Sequence, residues 1–313
     1  ANSGALSRQE LEANQLQVDS ILASINRISN STEFGGKKLL DGSLDYDTAG
    51  VNSAHLVTVQ VNSAKLTDGV SKAVVVDVSD PAEVANISFT SAGDAGLAEA
   101  ATIRITGNKG SETLNLAAGA TVAQMVTAVN ALTEATGVSA SDAVPGTLVF
   151  SSQQWGDESY VAVSALSGTF TTSAASDTGK DPVVKINGVT AQTSGLTASI
   201  RTTGLDIDLG LTADFAGVGG STNFTITGGG ANFQLAPHAD FTGKASIGIP
   251  SVSTASLGRS DIGFLSSLGA GGDAALVSGN AISAQAILDQ AIQQVTVLRG
   301  RLGAFQKNIL DPN

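Results

Sequence analysis

The chain offers few residues with which to do chemistry. His55 and His238 fall in separate segments, and neither has a second histidine or a carboxylate cluster at metal-ligand spacing around it. Each reads as a lone surface or strand histidine. Asp206 and Asp208 alternate with Leu205, Ile207 and Leu209, which puts both carboxylates on the solvent face of a strand. Carboxylate pairs that cleave glycosidic bonds stand across a cleft instead, one of them with a pKa raised by burial. The glycine tracts GVGG and GGGAN lack the Gly-Lys-Ser/Thr ending of a phosphate loop, and GNKG lacks its strand-to-helix context, so all three read as turns. With no cysteine there is no thiolate nucleophile, disulfide or Cys-ligated metal. The sequence therefore assigns no catalytic residue, cofactor or metal, and an enzyme is not expected.

Composition points the same way. Charged residues are 14 % of the 313, too few to supply many acid–base groups. The net charge of −12 repels phosphates and anionic lipid heads, which argues against nucleic acid and membrane partners. No run of about 18 apolar residues occurs, and the opening ANSGALSRQE lacks the basic and apolar regions of a secretory signal. One cationic feature stands out. Arg299 and Arg301 flank Gly300 in an apolar helix, where glycine costs about 1 kcal/mol relative to alanine. Gly300 and Gly303 would permit close approach of a neighbouring helix while the guanidiniums pair with carboxylates across a subunit interface.

The elements that must position these residues are two terminal helices and a β-rich middle. Ser7 and Glu10 have capping-box spacing, and Leu11, Val18, Ile21, Ile25 and Ile28 then form a narrow seam on a helix running to about Ser29. After Gly279-Asn280, a candidate N-cap, Leu288, Ala291, Val295, Leu298, Leu302, Phe305 and Ile309 step by three and four. A period near 3.5 predicts a coiled coil with a partner helix, and the N-terminal helix is the candidate within the chain. Between them, His55 to Val61, Ala73 to Ser79, Ala101 to Gly107 and Ala198 to Leu211 read as strands punctuated by glycine. One helix interrupts them from Thr121 to Leu132, with Val122, Met125, Val126, Val129 and Leu132 on a core-facing stripe. The expected fold class is α+β: a coiled-coil-like helical rod from both chain ends with a β-rich domain inserted. The expected divisions are 1–45, 46–227 with a strand–strand–helix unit near 101–165, and 228–313.

On these residues the chain resembles bacterial flagellin. INRISNSTEFGGKKLLDGS, from Ile25 to Ser43, is similar to the family's N-terminal signature, and ISAQAILDQAIQQVTVLRGRLGAFQKNIL, from Ile282 to Leu310, to its C-terminal helix. The segment from Gly228 to Gly258 resembles the hairpin and loop before that helix, and ATIRITGNKGSETLNLAAGATVAQMVTAVNAL an insertion of flagellin and hook-associated outer domains. The resemblance implies a filament subunit that self-assembles through terminal helices for motility, secreted to the extracellular flagellum. Its implied partners are other flagellin subunits and hook-associated and cap proteins. Further terminal helices of the family are not matched here, and the closing LDPN departs from its usual continuation, as in a trimmed fragment. Those helices and neighbouring subunits are expected to cover the C-terminal stripe. Subunit contacts are expected at Arg27, Phe34, Leu298, Arg299, Arg301, Leu302 and Phe305. The family's contact with an innate immune receptor is expected to be weakened, because its principal Arg-bearing helix lies upstream of Ala1 and a further acidic position falls on Gln17; a subset of contacts near Arg27 remains.

Two alternatives remain open, a hook-associated or cap protein and a surface glycan-binding module. Sugar rings stack on aromatics, and Trp155 and Tyr160 lie close together in QQWGDESY, with Tyr46 the only further Trp or Tyr. The triplets beginning at Asn30, Asn86 and Asn223 match a glycosylation signal that bacteria mostly leave unused; Ser/Thr-linked glycans on the outer domain are the expected modification.

Overall fold

The computed structural model describes residues 7–66, 70–91, 96–144, 146–234 and 244–311. The described chain is α+β and strand-rich. Its helices are α1 (Arg8–Ser31), α2 (Val122–Asn130), α3 (Thr133–Thr136), α4 (Ala213–Val218) and α5 (Ala281–Phe305). It divides into two units, one formed by 1–74, 200–209 and 223–313, the other by 75–199 and 210–222.

The first unit contains both long helices. At the start of α1 the capping box forms: Ser7 N–H donates to Glu10 Oε2 at 2.8 Å, and Glu10 N–H donates to Ser7 Oγ at 3.3 Å. Val18, Leu22 and Ile25 then pack on the core made by Leu257, Leu265, Leu268, Ala274, Ala284, Ile287 and Ala291. Gln15 ties α1 to the segment before α5, its amide donating to Leu268 O and accepting from Leu276 N–H. At the other end of α1, Ser29 Oγ donates to Leu40 O, and Leu40 packs in a cluster with Leu302 and Phe305 near the end of α5. The two helices therefore run in the same direction.

The rod expected from a direct α1–α5 seam is not what the structure presents. The 3₁₀ turn Leu265–Leu268 packs against both helices, and the turn Leu276–Ser278 packs against α1. Of the expected α1 seam, Ile21 and Ile28 are exposed, and Leu22 takes an inward place instead. On α5 the start of the stripe shifts from Leu288 to Ala284 and Ile287, and from Ala291 onward it follows the expected positions. The physical reason is the core's origin: loop residues supply the surface that α1 and α5 cover, so the buried faces follow the loop. Asn280 occupies the N-cap of α5, but its side chain donates to Asp273 O instead of capping.

Near the end of α5, Leu302 and Phe305 pack against Ala231 and Ile247 of the hairpin Ala231–Gln234/Lys244–Ile247 and against Ile249 just beyond it. The Phe233 and Phe305 rings lie 5.3 Å apart. The helix ends in a π-helical turn, Gln306–Leu310. The segment from 198 to 211, expected as strand punctuated by glycine, is two strands, Thr197–Thr202 and Leu205–Leu211; Thr202 Oγ1 accepts from Leu205 N–H at the turn between them.

In the second unit a three-stranded antiparallel sheet has the order Asn86–Thr90, Thr147–Ser152, Val138–Val144. A four-stranded sheet has the order Ser176–Thr178, Tyr160–Ser167, Ala101–Gly107, Ser111–Leu116. Alternation buries Ile87, Ile103, Ile105, Leu148, Phe150 and Val161, and α2 adds Met125 and Val129 from its expected apolar stripe. The Phe89 and Phe170 rings stack at 4.1 Å, with Phe150 edge-on to Phe170. The expected strand–strand–helix unit near 101–165 lies in this core.

Candidate assembly surface

The residues expected to contact other subunits divide into two groups. Leu298 is buried, and Leu302 and Phe305 are partly buried against the chain's own hairpin. The chain's own hairpin covers part of this stripe, and Leu302 and Phe305 keep partly exposed surface beside it. Arg27, Arg299 and Phe34 face solvent, and Phe34 is 81 % exposed. Gly300 and Gly303 are exposed, with open space where a side chain would stand.

Arg301 turns inward, and its partners are intramolecular. Its guanidinium lies in the field of Asp208, Asp206 and Asp45; burial lowers its pKa, and the three carboxylates oppose that shift. Its Nε and Nη1 are buried and make no hydrogen bond among the described residues, so the attraction is Coulombic and not a bidentate pair. Asn62, also buried, organises two of these carboxylates, donating from Nδ2 to Asp206 Oδ1 at 2.9 Å and Asp208 Oδ2 at 2.7 Å. Arg201 Nη1 stands 3.3 Å from Asp208 Oδ1. Burial pushes the Asp45 carboxyl above its ordinary value, against the Tyr46 N–H it accepts and the Arg301 charge. Asp206 and Asp208, expected on an open strand face, are thus partly covered and committed to this cluster.

Sequence patterning alone misses the apolar side chains that the helices leave in solvent. Ile21 and Ile28 on α1, and Ile282, Leu288, Ile292 and Val297 on α5, are all exposed. Ile21 and Ile28 sit seven residues apart, which places them on one face of α1. Seven-residue spacing is visible in the sequence, but only the packing decides which apolar stripe turns inward.

Two further features lie at opposite ends of α1. Beyond its C-terminus, Glu33–Phe34 and Lys37–Lys38 form a two-residue hairpin in which Gly35 and Gly36 both have positive φ, the conformation such a turn requires. Nothing approaches these glycines, so the tip stands free and carries Phe34 outward. Along the first three turns of α1 an open cleft of about 800 Å³ has apolar walls from Leu11, Leu16, Ala270 and Val277. Arg8, Glu12 and Asp19 supply its charge.

The other chemistry-bearing residues sit apart. Asn52 Nδ2 is 3.3 Å from His55 Nδ1 in a turn, and His238 lies outside the described residues. Trp155 packs on Gly217, where a Cβ would stand 2.9 Å from the indole, while Tyr160 begins a strand. Among the described residues no cluster of three or more His, Asp or Glu is placed to hold a metal, and no helix is long and apolar enough to cross a membrane.

Comparison with known proteins gives first a class of module. Residues 102–154 match the Flagellin hook IN motif, which covers the Ala101–Gly107 hairpin, α2, α3 and the next two strands. The chain thus carries a module of flagellar proteins, built around the Met125 core. Among solved structures, it is similar to the D2-D3 domains of the flagellar cap protein FliD from Serratia marcescens, at 16 % identity over 53 % of this chain and 97 % of that one, TM-score 0.34. The D1-D2-D3 domains of FliD from Escherichia coli align at 17 % identity over 68 % of this chain and 64 % of that one, TM-score 0.36. FliD from Bdellovibrio bacteriovorus aligns at 15 % identity over 52 % and 98 %, TM-score 0.35. Scores this low do not establish a shared overall fold. No curated protein matches the chain in sequence.

Proposed function

We propose that the chain is a structural subunit of the bacterial flagellum, of the flagellin type, which acts by packing against copies of itself and not by turnover. The observation that carries this reading is the pair of long helices, each burying one face in the chain's own core while presenting isoleucines to water on others. Apolar surface of this kind is covered when a partner is present, and a heterologous contact repeated between copies propagates as a helix instead of closing. The resemblance of the terminal segments to flagellin supports the filament role, and the motif at 102–154 supports a flagellar component. In this reading the β-rich unit faces the medium outside the cell, and the chain's neighbours are like subunits with hook-associated and cap proteins at the ends. Exposed Arg27 leaves a residual surface for an innate immune receptor.

A hook-associated subunit is the second reading, because the matching motif is described for flagellin and hook alike. Sedimentation in rising ammonium sulfate tests the first. The chain should form a growing series of oligomers, and Ile21→Ser with Ile28→Ser should suppress it without changing the circular dichroism spectrum. A single closed species of fixed size would favour the second reading, and an unaltered series in the double variant would remove these helices from the interface.

A further inference from the structure

The hairpin tip after α1 and the cleft at its start carry opposite surplus charges. The tip presents one large, exposed aromatic, Phe34, beside a two-residue glycine turn flanked by Glu33, Lys37 and Lys38, one surplus positive charge. The cleft has apolar walls with Leu16 and Val277 exposed, and its Arg8, Glu12 and Asp19 leave one surplus negative charge. Its volume, about 800 Å³, admits an aromatic ring and the turn that carries it. Gln15 and Asp19 hold the far wall in place: Gln15 binds Leu268 O and Leu276 N–H, and Asp19 Oδ1 accepts from Ala270 N–H. The cleft is therefore formed before anything enters it.

A single copy cannot satisfy itself. The 24 residues of α1 span about 36 Å at 1.5 Å per residue, and the hairpin lies at the far end of that length from the cleft. We propose that Phe34 of one copy docks in the α1 cleft of a second copy, head to tail, with Lys37 facing Glu12. The contact rests on the assembly reading above but uses a different surface from the exposed isoleucines. Because donor and acceptor sites lie at opposite ends of α1, each docking event leaves one knob and one cleft free, and the stack stays open-ended.

The chain has no cysteine, so introduced thiols report without background. An equimolar mixture of Glu33→Cys, which leaves the Phe34 knob in place, and Leu16→Cys variants, in the salt range where the parent associates, is expected to give the mixed disulfide well above its random share. The double variant should give a ladder. Lys37→Glu should lower the mixed product about two- to five-fold, as for an exposed ion pair, and Glu12→Lys should restore it. Val218→Cys, at an exposed but unrelated position, should pair with Glu33→Cys only at random. A mixed product at its random share, or an equal yield with Val218→Cys, overturns the proposal. If the parent still associates in that case, the assembly reading stands and only the docking site falls; a parent that stays monomeric throughout removes the docking site together with the association expected of this chain.

Discussion

Replacing Ile292 and Ile287 one at a time separates assembly from folding on the same helix. Ile292 is 62 % exposed on α5, whereas Ile287 is 1 % exposed in the core shared with α1. Burying a whole isoleucine is worth about 1.5–3 kcal/mol, so covering the exposed part of Ile292 at an interface contributes about 0.9–1.9 kcal/mol. Removing that side chain should therefore weaken association about five- to twenty-five-fold at each interface it enters. Ile292→Ser should produce this change with monomer stability held to within about 0.5 kcal/mol, since isoleucine and serine differ little in helix propensity and the site is solvated. Ile287→Ala should instead lower stability by about 2–5 kcal/mol, because it removes buried apolar surface and opens a cavity. Urea unfolding at low protein concentration measures the stability, and sedimentation velocity in ammonium sulfate measures the association. The reasoning is refuted if Ile292→Ser destabilises the monomer as much as Ile287→Ala, or if it leaves association unchanged.

Gly300→Ala should raise monomer stability by about 1 kcal/mol, because the residue is a solvated helix-interior glycine with open space at its Cβ. A simultaneous weakening of association would mark Gly300 as a point of close approach between copies. Arg301→Met leaves Asp45 without its cation, so denaturant titrations should show a deficit of about 1 kcal/mol at neutral pH, kept small by solvent screening. The Asp45 carboxyl is already pushed above its ordinary value and rises further in this variant. Such a group's stabilising contribution is present at low pH and lost as pH rises through its folded pKa, so the deficit should shrink on acidification. Glu10 behaves oppositely: hydrogen bonds from Ser7 lower its pKa, so the capping contribution is present above the ordinary carboxylate range and lost as pH falls through the folded value. Amide exchange in the first turn of α1 should accelerate below that point in the parent and not in Glu10→Gln.

The parts of the fold legible in the sequence are those set by local rules. The Ser7–Glu10 box, the α2 stripe through Met125 and Val129, and the strand Ala101–Gly107 follow from capping, helical period and alternation alone. What escapes depends on partners distant in sequence. Leu22 and Ile287 turn inward because Leu257, Leu265 and Leu268 arrive from a loop whose irregular spacing carries no periodic signal. Arg301 is expected outward because Asp45, Asp206 and Asp208 lie far from it along the chain, and only the fold gathers them. Phe34 is singled out by resemblance; its solvent-facing role follows from the Gly35-Gly36 turn, which sequence does signal, and from the open space around it, which sequence does not.

The central claim is that copies of this chain pack into an open-ended filament. Negative-stain electron microscopy after salt-induced polymerisation tests it most directly, run on the chain and on a form extended at both ends by helical segments of the flagellin type. Filaments of uniform diameter and unlimited length are expected from the extended form and should be absent in its Ile21→Ser/Ile28→Ser variant. Closed rings or caps of fixed size, or no assembly in either form, would contradict the claim.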